Sequence, residues 1–314
     1  MMTVNPLPSH IGVAEFDALH DNLPAWRAAI EALAAPFGAA PVVQMESGTV
    51  LVALLGKTHA LKLFPPFLRD HHAYECAMLE RVGGRLQVPT PVLVQTGERD
   101  GWPWLLMTQL RGEPLTETWP ALHESAKCRL LSALGALAAE VHALPVGDLQ
   151  RQSPTWTGFI AAQRKGCLQR QTRVGLPAHL LSQVDAFVAG HLPTGPHVML
   201  TGEYTPMNLL TQQGRLCGMF DFGDGLVGPR EYDWLGPLAF LAAGHAPRCD
   251  AFFSGYGSRQ DASQRQALLR LLLLHRYSNP LAQIAHPGWQ EARSFKELAA
   301  LIWPVAQQRC AGNP

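Results

Sequence analysis

Three side chains that carry oxygen atoms, Glu203, Asn208 and Asp221, fall close together in the sequence. Glu203 and Asn208 lie in a polar loop after a short apolar run at residues 198–200, and Asp221 directly follows a second apolar run at residues 216–220. Both runs predict short buried strands. Carboxylate and amide oxygens are the hard ligands that Mg²⁺ prefers. The stretch therefore predicts a site for Mg²⁺ and phosphate, and the alternative is a hairpin with polar ends.

A lysine and a glutamate earlier in the chain are the second set of candidates. Lys62 interrupts the apolar strand H-A-L-K-L-F, and Glu75 lies on the helix predicted to follow it over residues 70–82. A strand lysine followed by a helix glutamate can form an ion pair that directs the lysine toward nucleotide phosphates. The alternatives are a lysine on the solvent face of an edge strand and a glutamate on a solvated helix face.

The elements around Lys62 predict a small β-rich region. A helix is expected at residues 24–34, followed by short strands at 42–45, 50–55 and 59–64 and a strong apolar strand at 102–110. The turn E-S-G-T could lay the backbone N–H groups of Ser47, Gly48 and Thr49 over a phosphate, although the turn taken alone favours a plain hairpin.

The composition of the predicted elements changes after R-G-E-P-L, since almost everything beyond it reads as helical. We therefore predict a nucleotide-binding lobe over residues 1–108, in which residues 1–22 form an irregular extension. Residues 109–314 are predicted to form a catalytic and acceptor-binding lobe.

Composition excludes several other classes of protein. The chain has 314 residues, of which 47% are hydrophobic, and a formal net charge of zero, which is not the pattern of a disordered tail or of a non-specific nucleic-acid binder. No apolar run approaches the roughly 18 residues of a membrane span. The first residues do not resemble a signal peptide, and the six scattered cysteines form no C-x-x-C pair. We therefore expect a cytoplasmic protein without a zinc site or a disulfide framework.

Taken in order, these segments resemble the aminoglycoside phosphotransferase and choline kinase family, which is related to the eukaryotic protein kinases. The segments that carry the resemblance are A-L-K-L-F, Y-E-C-A-M-L, V-P-T-P-V-L, L-L-M-T-Q-L-R-G-E-P-L, A-E-V-H-A-L-P, T-G-E-Y-T-P-M-N-L-L, M-F-D-F-G-D, G-P-R-E-Y-D-W-L and F-F-S-G-Y-G. Within the family, bacterial hygromycin-type phosphotransferases look most similar. The resemblance implies an α+β, two-lobed protein-kinase-like fold, with a small β-rich N-lobe and a larger, mostly helical C-lobe.

The resemblance also implies roles for residues of the predicted nucleotide-binding lobe. Lys62 matches the lysine that holds the α- and β-phosphates of ATP or GTP, and Glu75 matches its ion-pair partner. Met107, Gln109 and Leu110 match the hinge, whose backbone contacts the adenine of the nucleotide.

The remaining roles belong to the stretch that contains Glu203, Asn208 and Asp221. Asn208 and Asp221 match the two Mg²⁺ ligands, and Glu203 matches the catalytic aspartate that accepts or orients the acceptor hydroxyl. The steps of five residues from Glu203 to Asn208 and of thirteen residues from there to Asp221 agree with the kinase catalytic loop and D-F-G pattern. The implied activity is transfer of a γ-phosphate to a small-molecule hydroxyl.

The stretch departs from the family pattern H-G-D-x-H-P-x-N at three positions, because Thr201, Glu203 and Thr205 replace His, Asp and His. Glutamate can perform the same proton chemistry, but it is one methylene longer, and a misplacement of ~1 Å can cost about a hundredfold in rate. Three hypotheses follow: a kinase whose loop suits glutamate, a catalytically weak or inactive pseudokinase-like module that holds nucleotide, and nucleotidyl transfer to protein. We favour the first.

The charge of the C-terminal part bears on the acceptor. From Gly225 onward there are six acidic residues against nine Lys or Arg residues. The acidic residues are Glu231, Asp233, Asp250, Asp261, Glu291 and Glu297, and the basic residues are Arg230, Arg248, Arg259, Arg265, Arg270, Arg276, Arg293, Lys296 and Arg309. This balance favours a neutral or anionic alcohol over a polycation. Trp289 and Trp303 either line an acceptor pocket or pack in the core. We expect a small-molecule partner, no nucleic acid or membrane partner, and a monomer or homodimer.

Overall fold

The fold is described from a computed structural model, which covers residues 7–20, 22–37, 42–47, 49–152, 154–202 and 204–305. The chain divides into two compact units. The first runs to Arg111 and also includes Met219–Asp224, and the second contains the two remaining parts of the chain.

The first unit is built on a five-stranded antiparallel sheet with the strand order β1-β2-β3-β5-β4. Its helices and strands are α1 (Val13–His20), α2 (Leu23–Ala34), β1 (Val42–Ser47), β2 (Leu51–Leu55), β3 (His59–Leu63), α3 (Arg69–Val82), β4 (Leu93–Arg99) and β5 (Trp102–Thr108). Strand β3 lies in the middle of the sheet and is hydrogen-bonded to a strand on each side. Its residues 60–63 are buried.

The N-terminal segment contributes to the core of this unit, so the prediction of an irregular extension over residues 1–22 is wrong for Val13–His20, which form α1. Leu7, Ile11 and Phe16 are buried in the same apolar cluster as Trp26. The apolar residues are spread along a polar stretch without a helical period, so the periodicity of the sequence did not reveal the helix.

The same apolar cluster shows which face of the sheet the N-terminal helices cover. Leu61 and Leu63 of β3 belong to the cluster with Trp26 and Trp102, whose ring centroids are 5.0 Å apart. Because side chains alternate along a strand, Lys62 points to the opposite face from Leu61 and Leu63. The N-terminal helices therefore close one face of the sheet and leave Lys62 on the other.

The second unit is mostly helical and carries two small sheets, with the strand orders β10-β7 and β6-β8-β9. Its helices and strands are β6 (Glu113–Pro114), α4 (Leu115–Thr118), α5 (Glu124–Ala143), α6 (Leu149–Gln152), α7 (Trp156–Arg173), α8 (Ala178–Leu181), α9 (Val184–Val188), β7 (His197–Leu200), β8 (Leu209–Gln212), β9 (Arg215–Met219), β10 (Leu226–Pro229), α10 (Ala246–Gly255), α11 (Arg265–Leu274), α12 (Pro280–Gln283) and α13 (Phe295–Ile302). Residues 237–241 form a π-helical segment.

Helices α5 and α10 approach so closely that glycine is required on both. A Cβ atom at Gly135 would lie 2.1 Å from the backbone oxygen of Phe252, and one at Gly255 would lie 1.9 Å from that of Ser132. Backbone atoms cannot move aside as a flexible side chain can. This close packing fixes the middle of α5 against α10.

The two predicted strands around the polar loop are present as β7 and β9, and β8 is an additional strand between them. Strands β8 and β9 form a hairpin through Gln213 and Gly214, which both have positive φ angles, as a type I′ turn requires. Trp289 and Trp303 are fully buried, in agreement with a core role. No helix in the described part of the chain is long and apolar enough to cross a membrane.

Candidate functional site

Lys62 is a buried cation held by two carboxylates of the first unit. Its side chain is 5% exposed, and its Nζ donates to Glu75 Oε1 at 2.7 Å and to Asp221 Oδ1 at 2.9 Å. Strand β3 fixes its backbone, because Lys62 is paired with Val52 on one side and with Leu105 on the other. A buried charge is tolerated when it is paired in this way. The predicted Lys62–Glu75 ion pair is therefore present.

Glu75 links helix α3 to the segment that follows β9. It is 1% exposed, and its Oε1 also accepts a long hydrogen bond from the backbone N–H of Phe222 at 3.5 Å. A Cβ atom at Gly223 would approach Glu75 Oε2 to 3.3 Å, so glycine leaves room for this carboxylate. The D-F-G sequence thus places Asp221 on the lysine, Phe222 in the core and Gly223 beside the glutamate.

Asp221 differs from Glu75 in its exposure. Its side chain remains 40% exposed while it holds Lys62, and its backbone has a φ angle of 71°, which aspartate tolerates better than most residues. The next acidic residue, Asp224, lies with its Oδ1 3.4 Å from His71 Nδ1. Asp221 therefore offers a carboxylate at the surface of the unit, beside a fixed ammonium group.

The electrostatics of this trio follow from burial and charge pairing. Burial disfavours the ammonium of Lys62, but Asp221 and Glu75 together outweigh this effect and raise the pKa of Lys62 above its usual value. Burial also opposes ionisation of Asp221, but the charge and hydrogen bond of Lys62 hold the pKa of Asp221 below its usual value. Burial raises the pKa of Glu75, and Lys62 acts against that rise. Lys62 and Asp221 are thus a cation and an anion at neutral pH.

Two of the other residues predicted to contact nucleotide, Ser47 and Met107, lie on strands of the same unit. Ser47 ends β1 opposite Leu51, whereas Gly48 lies outside the described residues; Thr49 is exposed. Met107 belongs to β5 and is paired with Ala60. These positions are compatible with the predicted turn and hinge, whose roles stay predictions.

The chain leaves β5 at the predicted hinge. The backbone N–H of Gln109 donates to the carbonyl of Thr58 at 2.8 Å, and Leu110 is half-buried. The side-chain oxygen of Gln109 is buried without a hydrogen-bond partner among the described residues.

The second unit carries the rest of the predicted site. Glu203, the predicted catalytic residue, lies outside the described residues. Asn208 is 7% exposed and ends a short 3₁₀ turn over Pro206–Asn208, in which its N–H donates to the carbonyl of Thr205 at 3.1 Å. In the described part of the chain, no group of three or more His, Cys, Asp or Glu side chains forms a metal site.

Asp233 organises the loop before Glu203, a role that the sequence did not reveal. It is 1% exposed, and it accepts hydrogen bonds from Thr201 N at 2.9 Å, Thr201 Oγ1 at 3.2 Å and Gly202 N at 3.0 Å. His142 Nε2 lies 3.1 Å from Asp233 Oδ2, and its Nδ1 lies 2.9 Å from the hydroxyl of Tyr256. One carboxylate thus satisfies two successive backbone N–H groups of the loop.

His275 binds the same loop from the other side of its backbone. Its Nδ1 accepts the backbone N–H of Tyr277 at 3.2 Å, so the ring proton must be on Nε2, which lies 3.1 Å from the carbonyl oxygen of Gly202. The imidazole is therefore neutral, and it stacks on Tyr232 at a centroid distance of 4.8 Å. The N–H and the C=O of Gly202 are thus both held by buried side chains.

The residues that the sequence missed did leave signals. Asp233 ends the segment G-P-R-E-Y-D, and His142 ends the helix segment A-E-V-H. Both segments contributed to the family resemblance, but only the fold shows that the side chains of His142 and Asp233 meet. His275 follows a run of leucines and has no recognisable motif.

The comparisons with known proteins agree with this geometry. The family described as "Phosphotransferase enzyme family" matches residues 45–278. An aminoglycoside 3'-phosphotransferase of Escherichia coli is 26% identical over 203 residues, which cover 60% of this chain and 72% of that protein.

Two solved structures illustrate the similarity of fold. The ternary complex of APH(2'')-IIa with streptomycin and ATP has a TM-score of 0.58 at 16% identity and covers 78% of this chain and 86% of that one. The ternary complex of a thermostable aminoglycoside phosphotransferase APH(4)-Ia with ADP and hygromycin B has a TM-score of 0.54 at 17% identity, with 86% and 98% covered. The expected α+β, two-lobed protein-kinase-like fold is confirmed.

The substitution Asp233→Asn tests whether Asp233 holds the loop. An amide places an N–H group against at least one of the donors that now face a carboxylate oxygen, so a buried donor loses its partner. We expect the free energy of unfolding in urea to fall by about 1–3 kcal/mol.

The matched control for this prediction is Asp148→Asn, because the side chain of Asp148 is 67% exposed and forms a surface pair with Arg151. We expect the control to change stability by less than about 0.5 kcal/mol. Equal stability of Asp233→Asn and the control would show that the loop does not depend on this carboxylate.

Proposed function

Because the chain belongs to the family described as "Phosphotransferase enzyme family", we propose that it transfers the γ-phosphate of ATP or GTP to a hydroxyl group of a small molecule, with Mg²⁺. In this reaction the acceptor oxygen forms a bond to phosphorus and the bond to the β-phosphate oxygen breaks. The products are a phosphate monoester, a nucleoside diphosphate and the proton of the acceptor hydroxyl. We further propose that the first unit binds the nucleotide and that the second unit binds the acceptor.

The observation that carries this proposal is the buried ammonium of Lys62 between Glu75 and Asp221. A lysine held in one position by a buried glutamate is suited to bind phosphate oxygens, because little side-chain entropy is left to lose on binding. Glu75 fixes the ammonium and stays out of solvent, whereas the side chain of Asp221 is 40% exposed. Lys62 would thus hold the α- and β-phosphates, as the sequence predicts.

Asp221 and Asn208 each carry the type of oxygen atom that a proposed Mg²⁺ ligand needs. Asp221 offers a partly exposed carboxylate whose pKa is held below its usual value by Lys62, so it is ionised at neutral pH. Asn208 supplies an amide oxygen, and both are hard ligands of the kind that Mg²⁺ prefers. When bound, Mg²⁺ neutralises negative charge on the phosphate oxygens.

Glu203 is proposed to accept the acceptor proton or to orient the acceptor hydroxyl. Its neighbours Thr201 and Gly202 are fixed by Asp233, and the carbonyl of Gly202 is fixed by His275. This anchoring holds the backbone before Glu203 in one position. Catalysis by positioning requires such a fixed backbone, because a misplaced catalytic group lowers the rate and glutamate is one methylene longer than aspartate. The pseudokinase alternative rests on the same substitution, and nucleotidyl transfer to protein would require a protein acceptor.

The relatives suggest an acceptor class to test first. The curated relatives are named as aminoglycoside 3'-phosphotransferases. Aminoglycosides carry both hydroxyl and ammonium groups, so they belong in any acceptor screen of this protein.

The substitution Lys62→Met tests the proposed phosphate site. Methionine keeps the length of the side chain and removes its charge, so we expect kcat/KM for the nucleotide to fall by about 10²–10³-fold. Lys57→Met is the matched control, because Lys57 is exposed in the turn between β2 and β3. Circular dichroism establishes that each variant is folded before turnover is compared. Unchanged turnover in folded Lys62→Met would contradict the proposal.

The pair Glu203→Gln and Glu203→Asp separates an active kinase from a pseudokinase. If Glu203 handles the acceptor proton, Glu203→Gln should lower kcat by about 10²–10⁴-fold while nucleotide affinity in a thermal-shift titration stays constant. Glu203→Asp keeps the carboxylate and should retain more activity than Glu203→Gln. Activity that survives Glu203→Gln would remove Glu203 from the mechanism, and nucleotide binding without turnover in wild type would favour the pseudokinase.

A further inference from the structure

A cavity beside the proposed catalytic loop indicates the chemical class of the acceptor. We propose that the acceptor is an uncharged, hydroxyl-bearing molecule with an apolar face and that this cavity does not accept a polycation. The inference rests on the proposed phosphotransferase function, and it deepens that function because neither the family nor the fold specifies the charge of the acceptor.

The cavity has a volume of about 220 Å³ and lies wholly within the second unit. Gly202 and Tyr204, which flank Glu203 in the sequence, are both among its lining residues. A volume somewhat below the roughly 300–1,000 Å³ of typical ligand pockets suits a small alcohol or one end of a larger acceptor. The position of the cavity therefore suits the group that presents the hydroxyl.

Asp233 is the only Asp, Glu, Lys or Arg among the described residues that line the cavity. Both of its oxygens accept hydrogen bonds, Oδ1 from Gly202 N and Oδ2 from Thr201, and His142 Nε2 lies 3.1 Å from Oδ2. The side chain of Asp233 is fully buried, so an ammonium group that entered the cavity could reach this carboxylate only by disturbing the hydrogen bonds that hold the loop. Burial of an unpaired cation is strongly unfavourable.

The aromatic wall of the cavity is also uncharged. His275 is a neutral imidazole, because its Nδ1 accepts the N–H of Tyr277, and it stacks on Tyr232 with an interplanar angle of 16°. Phe240 and Leu272 complete this apolar wall. Such a surface binds the apolar face of a ligand through burial of area.

A few fixed polar groups of the same lining can form hydrogen bonds with the hydroxyl groups of an acceptor. The Oγ1 atom of Thr205 is buried and has no hydrogen-bond partner among the described residues. A buried hydroxyl without a partner is unfavourable, so an acceptor hydroxyl that pairs with it gains affinity. Asn279 and Gln283 are held by each other and by the backbone, since Asn279 N donates to Gln283 Oε1 at 2.9 Å and Gln283 Nε2 donates to the carbonyl of Tyr277 at 3.0 Å.

An acidic residue that adjoins the lining in sequence is Glu203, whose carboxylate is proposed to act on the acceptor hydroxyl itself. Among the described acidic residues, Glu231 does not change the conclusion. Glu231 is 6% exposed, its Oε1 lies 3.7 Å from the guanidinium of Arg230, and it is not among the residues that line the cavity. The described lining of the cavity thus offers no exposed carboxylate, because the side chain of Asp233 is fully buried. Recognition of a polycation would need such groups.

The inference is tested with an acceptor panel and labelled ATP and GTP. The neutral probes are phenyl β-D-glucoside, octyl β-D-glucoside and uridine, and the cationic probes are kanamycin, streptomycin and the 2-amino-2-deoxy analogue of phenyl β-D-glucoside. We expect the best neutral probe to exceed every cationic probe in kcat/KM by at least about tenfold, because an unpaired buried charge costs more than a lost contact. Its KM should not change between 50 and 500 mM salt, since screening acts on charged ligands.

Two substitutions test whether the acceptor binds in this cavity. Ala282 lines the cavity and is exposed at its rim, so Ala282→Phe should lower kcat/KM for the best neutral probe at least about tenfold by filling the space. Ala285→Phe is the matched control, because Ala285 is exposed nearby and does not line the cavity. Asn279→Asp adds a carboxylate and can keep the hydrogen bond from Ala282 N, so it should raise kcat/KM for the aminoglucoside relative to phenyl glucoside.

The outcomes separate this inference from the proposed function. Nucleotide affinity is measured for every protein in a thermal-shift titration. Absence of nucleotide binding in wild type would overturn the phosphotransferase proposal itself. Nucleotide binding together with transfer to a polycation as the best acceptor, or with no transfer to any neutral probe, would overturn the neutral-acceptor inference. Equal loss of activity in Ala282→Phe and Ala285→Phe would also overturn it.

Discussion

The first unit depends on the burial of one ammonium group. Lys62 lies in the central strand of the sheet, and a cation at that position is tolerated only because Glu75 and Asp221 lie within hydrogen-bond distance. This requirement fixes helix α3 against the sheet and brings the segment after β9 into the same unit. The N-terminal helices cover the other face of the sheet, so the apolar core and the charged group do not compete for the same space.

In the second unit, side chains hold the loop that contains Thr201 and Gly202, which is not paired in a sheet. Asp233 accepts the N–H groups of Thr201 and Gly202, and His275 lies within hydrogen-bond distance of the carbonyl of Gly202. Buried polar groups that are fully paired in this way specify one conformation. The same residues also determine the chemistry of the neighbouring cavity. Because the carboxylate of Asp233 is buried against the loop, the described lining exposes no carboxylate to an acceptor.

The sequence predicted those elements that follow from a local residue pattern or from the order of the family's motifs. The strands around Lys62, the helix with Glu75 and the D-F-G segment were predicted, and the Lys62–Glu75 ion pair is present. Helix α1 was missed because its core contacts depend on single residues such as Phe16 and not on a helical period. The contacts of Asp233 and His275 with Gly202 were missed because they join residues far apart in the chain, which no local pattern encodes.

The central claim is that Lys62, Glu75 and Asp221 form a nucleotide-phosphate site, and calorimetric titration of wild type with AMP, ADP and a non-hydrolysable ATP analogue in the presence of Mg²⁺ tests it most directly. If the fixed ammonium group binds the α- and β-phosphates, affinity should rise at least about tenfold from AMP to ADP, because charge-assisted hydrogen bonds to phosphate are strong. Equal affinity for AMP and ADP, or absence of binding by all three nucleotides, would contradict the account.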